Sequence, residues 1–586
     1  MEDKQKVRRF IEGAGSGGKG GGQAPTEDPD TLRSKAKAAV LAALCEGPIQ
    51  GFPAAFTADQ IRQRIFLNDT ALVGQDGLAN FEDVEISFVN GTQDQQALAG
   101  FNDIRIEQAV GTKVTKDIGI VSATTTSSQL DRLYVRMGVA SLFEVEEEGD
   151  VTGASVKFNI QIITANGTVI ADREERIKGK SRGPYDVEYE FALSGNGPWT
   201  VKVERITKDP KDLKVNNDLY FKAIVGIIED TLRYPNTALL GFKVSAEYFD
   251  TVPAISAELL GMLVQVPTVY DAASNSYSGV WDGSFKTEYN NNPVWVFYDL
   301  LTNPRYGCGD FIDAENIDIY SLLPIAKYCD ELVPNGYGGT EKRFTFNAYV
   351  NNRGEAYEVL NSLAASFRGM IYYARGLIVA TQDRPSSAVK QFSLSNVIVE
   401  TNDQGEVVKP AFVYEGTGLK ARKTVALVSW NDKDDRYRGK IEYVEDRAGV
   451  ERYGYRELEV RAMGCTSQGQ AQRVGRWALL TNMNETETVT FKVAAEGFFL
   501  MPGEIIEIKD PYKAFEADRD NVPARKYRVI ALNEDDQLMT VLASSYDENK
   551  YSVVDDSTLL SSEITSIAGL TVTPAVNGGS IVLRTT

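Results

Sequence analysis

Residues Tyr277–Gly309 read YSGVWDGSFKTEYNNNPVWVFYDLLTNPRYGCG. Aromatic side chains stand directly beside Gly, Asn and Pro, the residues that form turns. Within this window Asn292 can cap a helix that starts at Pro293. Val294, Phe297, Tyr298 and Leu301 then share one face at helical spacing, and Asn303-Pro304 ends the helix. The window predicts a rigid, irregular connector between packed layers. Trp281, Phe285, Trp295 and Tyr306 are its candidate structural anchors at a domain junction, with Tyr306 packing just past the helix end. Trp281 and Trp295 could instead form a carbohydrate platform, but turn-rich surroundings favour core anchors. No catalytic signature has this form.

Working outward, the chain is too long for one core and predicts three to five domains. Residues 1–30, Gly-rich with Pro25 and Pro29, read as a flexible arm. Residues 31–125 and 207–285 read as two parts of one β domain. A β-sandwich, 126–206, is inserted between them. Its marks are strict alternation over Val156–Ile162 and the Asn166-Gly167 turn. Residues 286–385 mix helix and sheet, with a helical stripe of Ala356, Val359, Leu360, Leu363 and Phe367 and a hairpin turning at Arg375-Gly376. Residues 386–484 hold more strands and a helix capped by Ser467, with Gln470 in the capping-box position. Residues 485–550 predict a small OB-like barrel. Residues 551–586 read as a linker and two strands of a fibronectin-like domain, which needs about seven. These two strands predict either a chain that continues past Thr586 or pairing with another chain.

Composition excludes several classes. The net charge is −20, with pI near 4.8, the wrong sign for general binding to nucleic acid or anionic membranes. No run of eighteen apolar residues predicts a membrane helix, and the N-terminus lacks an apolar signal core, so folding in a cytoplasm is expected. Cys45, Cys308, Cys329 and Cys465 form no CxxC pair and read as reduced thiols. Histidine is absent, which removes the commonest general base and metal ligand.

Three stretches imitate chemistry. Gly13–Gly20 nearly spells a phosphate loop, but Gly20 stands where a hydroxyl is required and no helix follows. The run Glu144–Asp150 reads as a solvated hairpin tip. Asp432, Asp434 and Asp435 resemble the start of a calcium loop without its Gly and closing Glu in register. No catalytic, cofactor or metal site is expected. An envelope-degrading glycosidase needs two carboxylates roughly 5–9.5 Å apart, and no pair is nominated. A freestanding β-rich adhesin is the third class.

The chain also resembles a known family. Between about residues 31 and 545 it carries Glu46-Gly47-Pro48-Ile49, Ile177-Lys178-Gly179-Lys180, Tyr234–Leu239, Tyr277–Phe285 and Asn303–Gly307. It continues with Val333–Glu341, Asn347-Ala348-Tyr349, Gln382–Ser386, Gly464–Ala471 and Ala495-Glu496-Gly497. In these strings it is similar to the tip attachment (host specificity J) family of lambda-like long-tailed phages. The resemblance implies a mainly β chain with α+β parts, baseplate-hub-like barrels and no enzyme activity. It implies a homotrimeric hub that closes the tail tube at the virion tail tip and opens for DNA ejection. Implied partners are the other tail-tip proteins, the distal tube ring and the tape measure protein. Host receptor recognition is implied only for a C-terminal region beyond these residues, and DNA is expected to pass without specific binding.

Overall fold

A computed structural model describes residues 26–32, 37–556, 570–573 and 582–585, apart from short stretches inside 37–556. The expectations for 1–25, including the Gly13–Gly20 loop, lie outside the described residues, as do Ala495 and Glu496. The chain divides into two units, one of residues 1–48 with 54–258 and one of 49–53 with 259–586.

In the first unit two four-stranded antiparallel sheets form a sandwich. One runs in the order Val169–Gly179, Ala154–Ile163, Thr200–Arg205, Ile120–Thr124; the other runs Tyr185–Ala192, Arg132–Val139, Leu219–Glu229, Asp103–Val114. Alternation decides which side chains point inward. Val156, Phe158, Ile160 and Ile162 meet Leu133, Val135, Met137 and Val139 in one core. The sandwich draws strands from Asp103 to Glu229, wider than the expected 126–206. Leu219–Glu229, an apolar run on paper, is a central strand of the sandwich, so the inward face hid its membership. Both outer faces are laced with ion pairs. Arg132 meets Asp103, Glu190 and Glu229 at 3.2, 2.9 and 2.7 Å, and Lys157 meets Glu174 at 2.9 Å. A third sheet of this unit pairs Lys37–Glu46 with Thr237–Ser245, and Thr237–Ser245 with Glu85–Asn90. The short helix α1 (Ala58–Arg62) carries a complete capping box between Thr57 and Gln60.

The described end of the expected flexible arm is docked. Glu27 and Asp30 hold the Lys180 ammonium at 2.7 and 3.1 Å, Arg182 meets Glu27 at 2.8 Å, and Thr31 N and Leu32 N both donate to Lys180 O.

The second unit holds helices α2 (Pro293–Thr302), α3 (Ile319–Asp330) and α4 (Ala356–Ser366) around one core with the strand Leu260–Pro267 and the hairpin Gly369–Ala374 to Leu377–Gln382. The expected domain boundary after 285 cuts this core, because Phe285 opens the strand Phe285–Tyr289 that pairs with Leu260–Pro267. A three-stranded sheet of Arg438–Glu445, Val425–Asp432 and Glu457–Arg461 follows, with α5 (Arg447–Tyr453) in its connection. Helix α6 (Gln468–Asn484) covers one face, where Ala471 and Leu479 pack on Ala426, Val428 and Trp430.

The expected barrels are not closed among the described residues. In place of an OB-like barrel over 485–550 there is an open six-stranded sheet. Its order is Ala388–Ser393, Ile505–Lys509, Arg525–Asp535, Leu538–Ser545, Glu487–Val493, Val413–Gly416. Its two end strands come from 386–484, and Ala388–Ser393 joins in parallel through a long crossover. That pairing is invisible to local periodicity. The last described helix of the unit is α7 (Lys550–Asp555), and Leu570–Thr573 pairs with Val582–Thr585 as a hairpin.

Candidate functional site: a buried aromatic and ionic core

The four residues singled out from the sequence converge on α2. Its cap, Asn292, accepts from Val294 N at 3.0 Å, with Pro293 at the first position. The amide of the same Asn292 donates to Ala326 O and Asp330 Oδ2 on α3 at 2.9 and 2.8 Å. One side chain therefore starts one helix and ties it to the next. Trp295 is fully buried, and its indole N–H donates to the Tyr277 hydroxyl at 2.8 Å. That hydroxyl donates to Asp330 Oδ2 at 2.7 Å, and Lys342 balances the carboxylate at 2.9 Å. Burial and the Asp330 charge push the Tyr277 phenol far above its ordinary range, so it stays a donor.

Trp281 is 6% exposed and donates its indole N–H to Ser284 O at 2.7 Å. It meets Phe285 and Trp295 edge-on, with centroids 5.1 and 6.2 Å apart. Phe285 stacks on Tyr298 at 4.4 Å. A sugar platform needs an open ring face, and neither tryptophan offers one. Tyr306, half-buried past the end of α2, donates to the Asp299 carboxylate at 2.5 Å. Burial raises the Asp299 pKa, and the Tyr306 bond opposes that rise.

A second set of charges, missed from the sequence, gathers on Asp383 at the end of the hairpin. Lys550 of α7 lies 3.0 Å from it, Trp477 Nε1 of α6 donates to it at 2.8 Å, and Arg528 and Tyr551 bind its other oxygen. Lys550 also meets Glu485 at 2.5 Å and Thr481 at 3.2 Å. Burial alone would raise the Asp383 pKa; Arg528 and Lys550 instead hold it well below the usual carboxylate range. No local spacing could reveal this cluster, since Lys550 is 167 residues from Asp383. The string Gln382–Ser386 was its only trace.

Three of the other strings, Ile177–Lys180, Val333–Glu341 and Gly464–Ala471, also fall where one element docks on another. Gly179 has a positive φ of 149°, and a Cβ there would lie 2.7 Å from Leu32. Asn335 caps its own turn by accepting from Tyr337 N and Gly339 N. The adjacent Glu341 then binds Arg473 of α6 at 2.8 Å and accepts from Ser467. Gln470 does not close a capping box with Ser467: its side chain exchanges bonds with Thr345 N and Thr345 O, both 3.1 Å. The segment Phe344–Phe346 offered a better-placed backbone partner than the helix's own cap.

The Asp432–Asp435 stretch is neutralised internally, whereas Glu146, Glu147 and Glu148 stand exposed. Lys440 Nζ lies 2.6 Å from Asp432 and 3.4 Å from Asp435, in the position a cation would need. Asp150 accepts from Thr26 N and Thr26 Oγ1 at 2.5 and 2.9 Å. Among the described residues no group of three potential metal ligands converges.

Residues 104–230 match the family described as tip attachment protein J, FNIII-A domain, and residues 355–532 match one described as putative phage tail protein. The chain is 35% identical over 503 residues to tip attachment protein J of Escherichia phage SECphi4, covering 84% of this chain and 43% of that one. It is 32% identical over 505 residues to the protein of the same name from Escherichia phage SECphi27, covering 85% and 41%. It therefore spans less than half the length of these relatives. A chain of the virion of a native gene transfer agent particle aligns with 73% of this chain and 87% of its own length, at 10% identity and a TM-score of 0.35. The 43 kDa tail protein of prophage MuSo2 from Shewanella oneidensis aligns with 74% of this chain and 99% of its own length, at 12% identity and a TM-score of 0.26. By sequence, the chain is thus similar over most of its length to the tip attachment J proteins of phage tails and matches their FNIII-A domain at residues 104–230.

Proposed function

We propose that this chain is a structural protein of the phage tail tip, a hub in which three copies close the tail tube and carry neighbouring tip proteins. The distribution of exposed aromatic residues carries this reading. Phe311, Tyr349, Tyr357, Tyr373, Phe499 and Tyr512 are each at least 70% exposed, and all lie in the second unit. The sandwich exposes no large aromatic side chain among its described residues and covers its faces with paired charges. Single exposed apolar residues are ordinary. Six open Tyr and Phe rings on one unit match the composition of protein interfaces.

In this reading the partners are two further copies, the other tail-tip proteins, the distal tube ring and the tape measure protein. Receptor contact falls to the part of the longer relatives that this chain does not span. Trp281, Phe285, Trp295 and Tyr306 act as anchors, making the aromatic core rigid enough to transmit load. Catalysis has no part in it. Three copies carry three times −20, or −60, and an acidic lumen would repel DNA phosphates and ease their passage.

Mass photometry of the purified chain tests the assembly. The expected species is three times 64.5 kDa, weakened by Tyr357→Ser with Phe499→Ser. A monomer at all concentrations that cleaves envelope polysaccharide would overturn the proposal.

A further inference from the structure

Helix α7 is six residues long, too short to be stable alone. Its seat is mainly ionic. Lys550 is 1% exposed and bound to Asp383, Glu485 and Thr481. The Tyr551 hydroxyl binds Asp383 and accepts from Arg528 at 2.8 Å. Asp555 pairs with Arg343, and Arg476 donates to Val553 O at 3.3 Å. Val554 and the Tyr551 ring are the buried apolar part.

Beside this seat lies Arg368, buried and held with a positive φ of 59°. Its guanidinium lies between the rings of Phe344 and Trp477, at 5.0 and 5.2 Å. Its Nε and Nη2 are buried without a hydrogen-bond partner. Its carbonyl accepts from Asp383 N at 2.9 Å, so the backbone places Arg368 next to the acid that α7 occupies. A buried cation with two unused donors is costly and calls for an explanation.

We propose that α7 is a releasable latch and that Arg368 is the alternative partner of Asp383. In the closed state Asp383 serves Lys550, Tyr551, Arg528 and Trp477, the last of which stays on α6 when α7 leaves. When α7 leaves, Lys550 returns to water, Arg528 keeps one oxygen of Asp383, and Arg368 takes the other. The open state then keeps Asp383 paired and leaves Glu485 the Asp547 N–H at 3.3 Å, so opening is local. A two-state element of this kind couples the chain beyond residue 556 to the α6 core. The latch stands whether or not the chain is a tail-tip hub; only its trigger depends on that reading.

Hydrogen exchange of the full chain, followed by mass spectrometry, tests it. Residues 549–556 are expected to exchange ahead of α6 by a separate local opening. R368M keeps the stacked volume and removes the alternative partner, so it should slow exchange in α7 about tenfold relative to α6. K550M removes the closed-state partner and should speed it by a similar factor. Exchange of α7 only together with α6 would overturn the latch. So would an α7 rate that R368M leaves unchanged or raises, or, if R368M does not fold, one that K550M leaves unchanged.

Discussion

Trp281 is enclosed by Phe285, Trp295 and Tyr320, with ring centroids 5.1 to 6.2 Å away, so removing it opens a cavity that rigid neighbours cannot fill. Trp281→Ala should cost about 3–5 kcal/mol, read as a shift in the urea transition of the second unit. Tyr306→Phe removes the hydroxyl that donates to buried Asp299. It should cost about 1–3 kcal/mol and raise the Asp299 pKa further. Asp383→Ala leaves Lys550 and Arg528 without their shared acid and should cost about 3–5 kcal/mol. Asp383 is held below its ordinary value of 3.8. Its contribution is therefore present above that pH and declines as pH falls through the depressed value.

At the scale of elements, the segment Thr26–Leu32 is a clip on the sandwich, held by Lys180 and Arg182. Arg182 and Lys180 together lower the Glu27 pKa from 4.5 to about 2. The clip is then fully charged above pH 4.5 and loosens as pH falls toward about 2. The amides of Thr31 and Leu32, which bond Lys180 O, should lose exchange protection over that interval while the sandwich core keeps its own. Gly179→Ala would place a Cβ against Leu32 at a positive φ and should release the clip at neutral pH. Local elements were readable because local physics sets them. Asn292-Pro293 named its own helix start, and alternation over Val156–Ile162 named the strand that runs Ala154–Ile163. Gln470 was misread because its partner, Thr345, lies 125 residues away.

For the whole molecule, what was legible was the β-rich class, the aromatic core and the association of residues 31–125 with 207–285, within which Lys37–Glu46 pairs with Thr237–Ser245; the other long-range pairings were hidden. The parallel strand Ala388–Ser393 turned an expected barrel into an open sheet, and Lys550 reached Asp383 from a helix with no periodic signal. The resemblance compensated in part, since strings such as Ile177–Lys180, Val333–Glu341, Gln382–Ser386 and Gly464–Ala471 mark joints at which elements dock. The assembly of three copies about the tail axis is the central claim. A reconstruction of the virion tail tip by electron cryomicroscopy, without imposed symmetry, tests it most directly. The account predicts three copies around the axis, with Phe311, Tyr357 and Phe499 covered by neighbouring chains. A chain absent from the tip, or present off the axis with those rings in solvent, would contradict it.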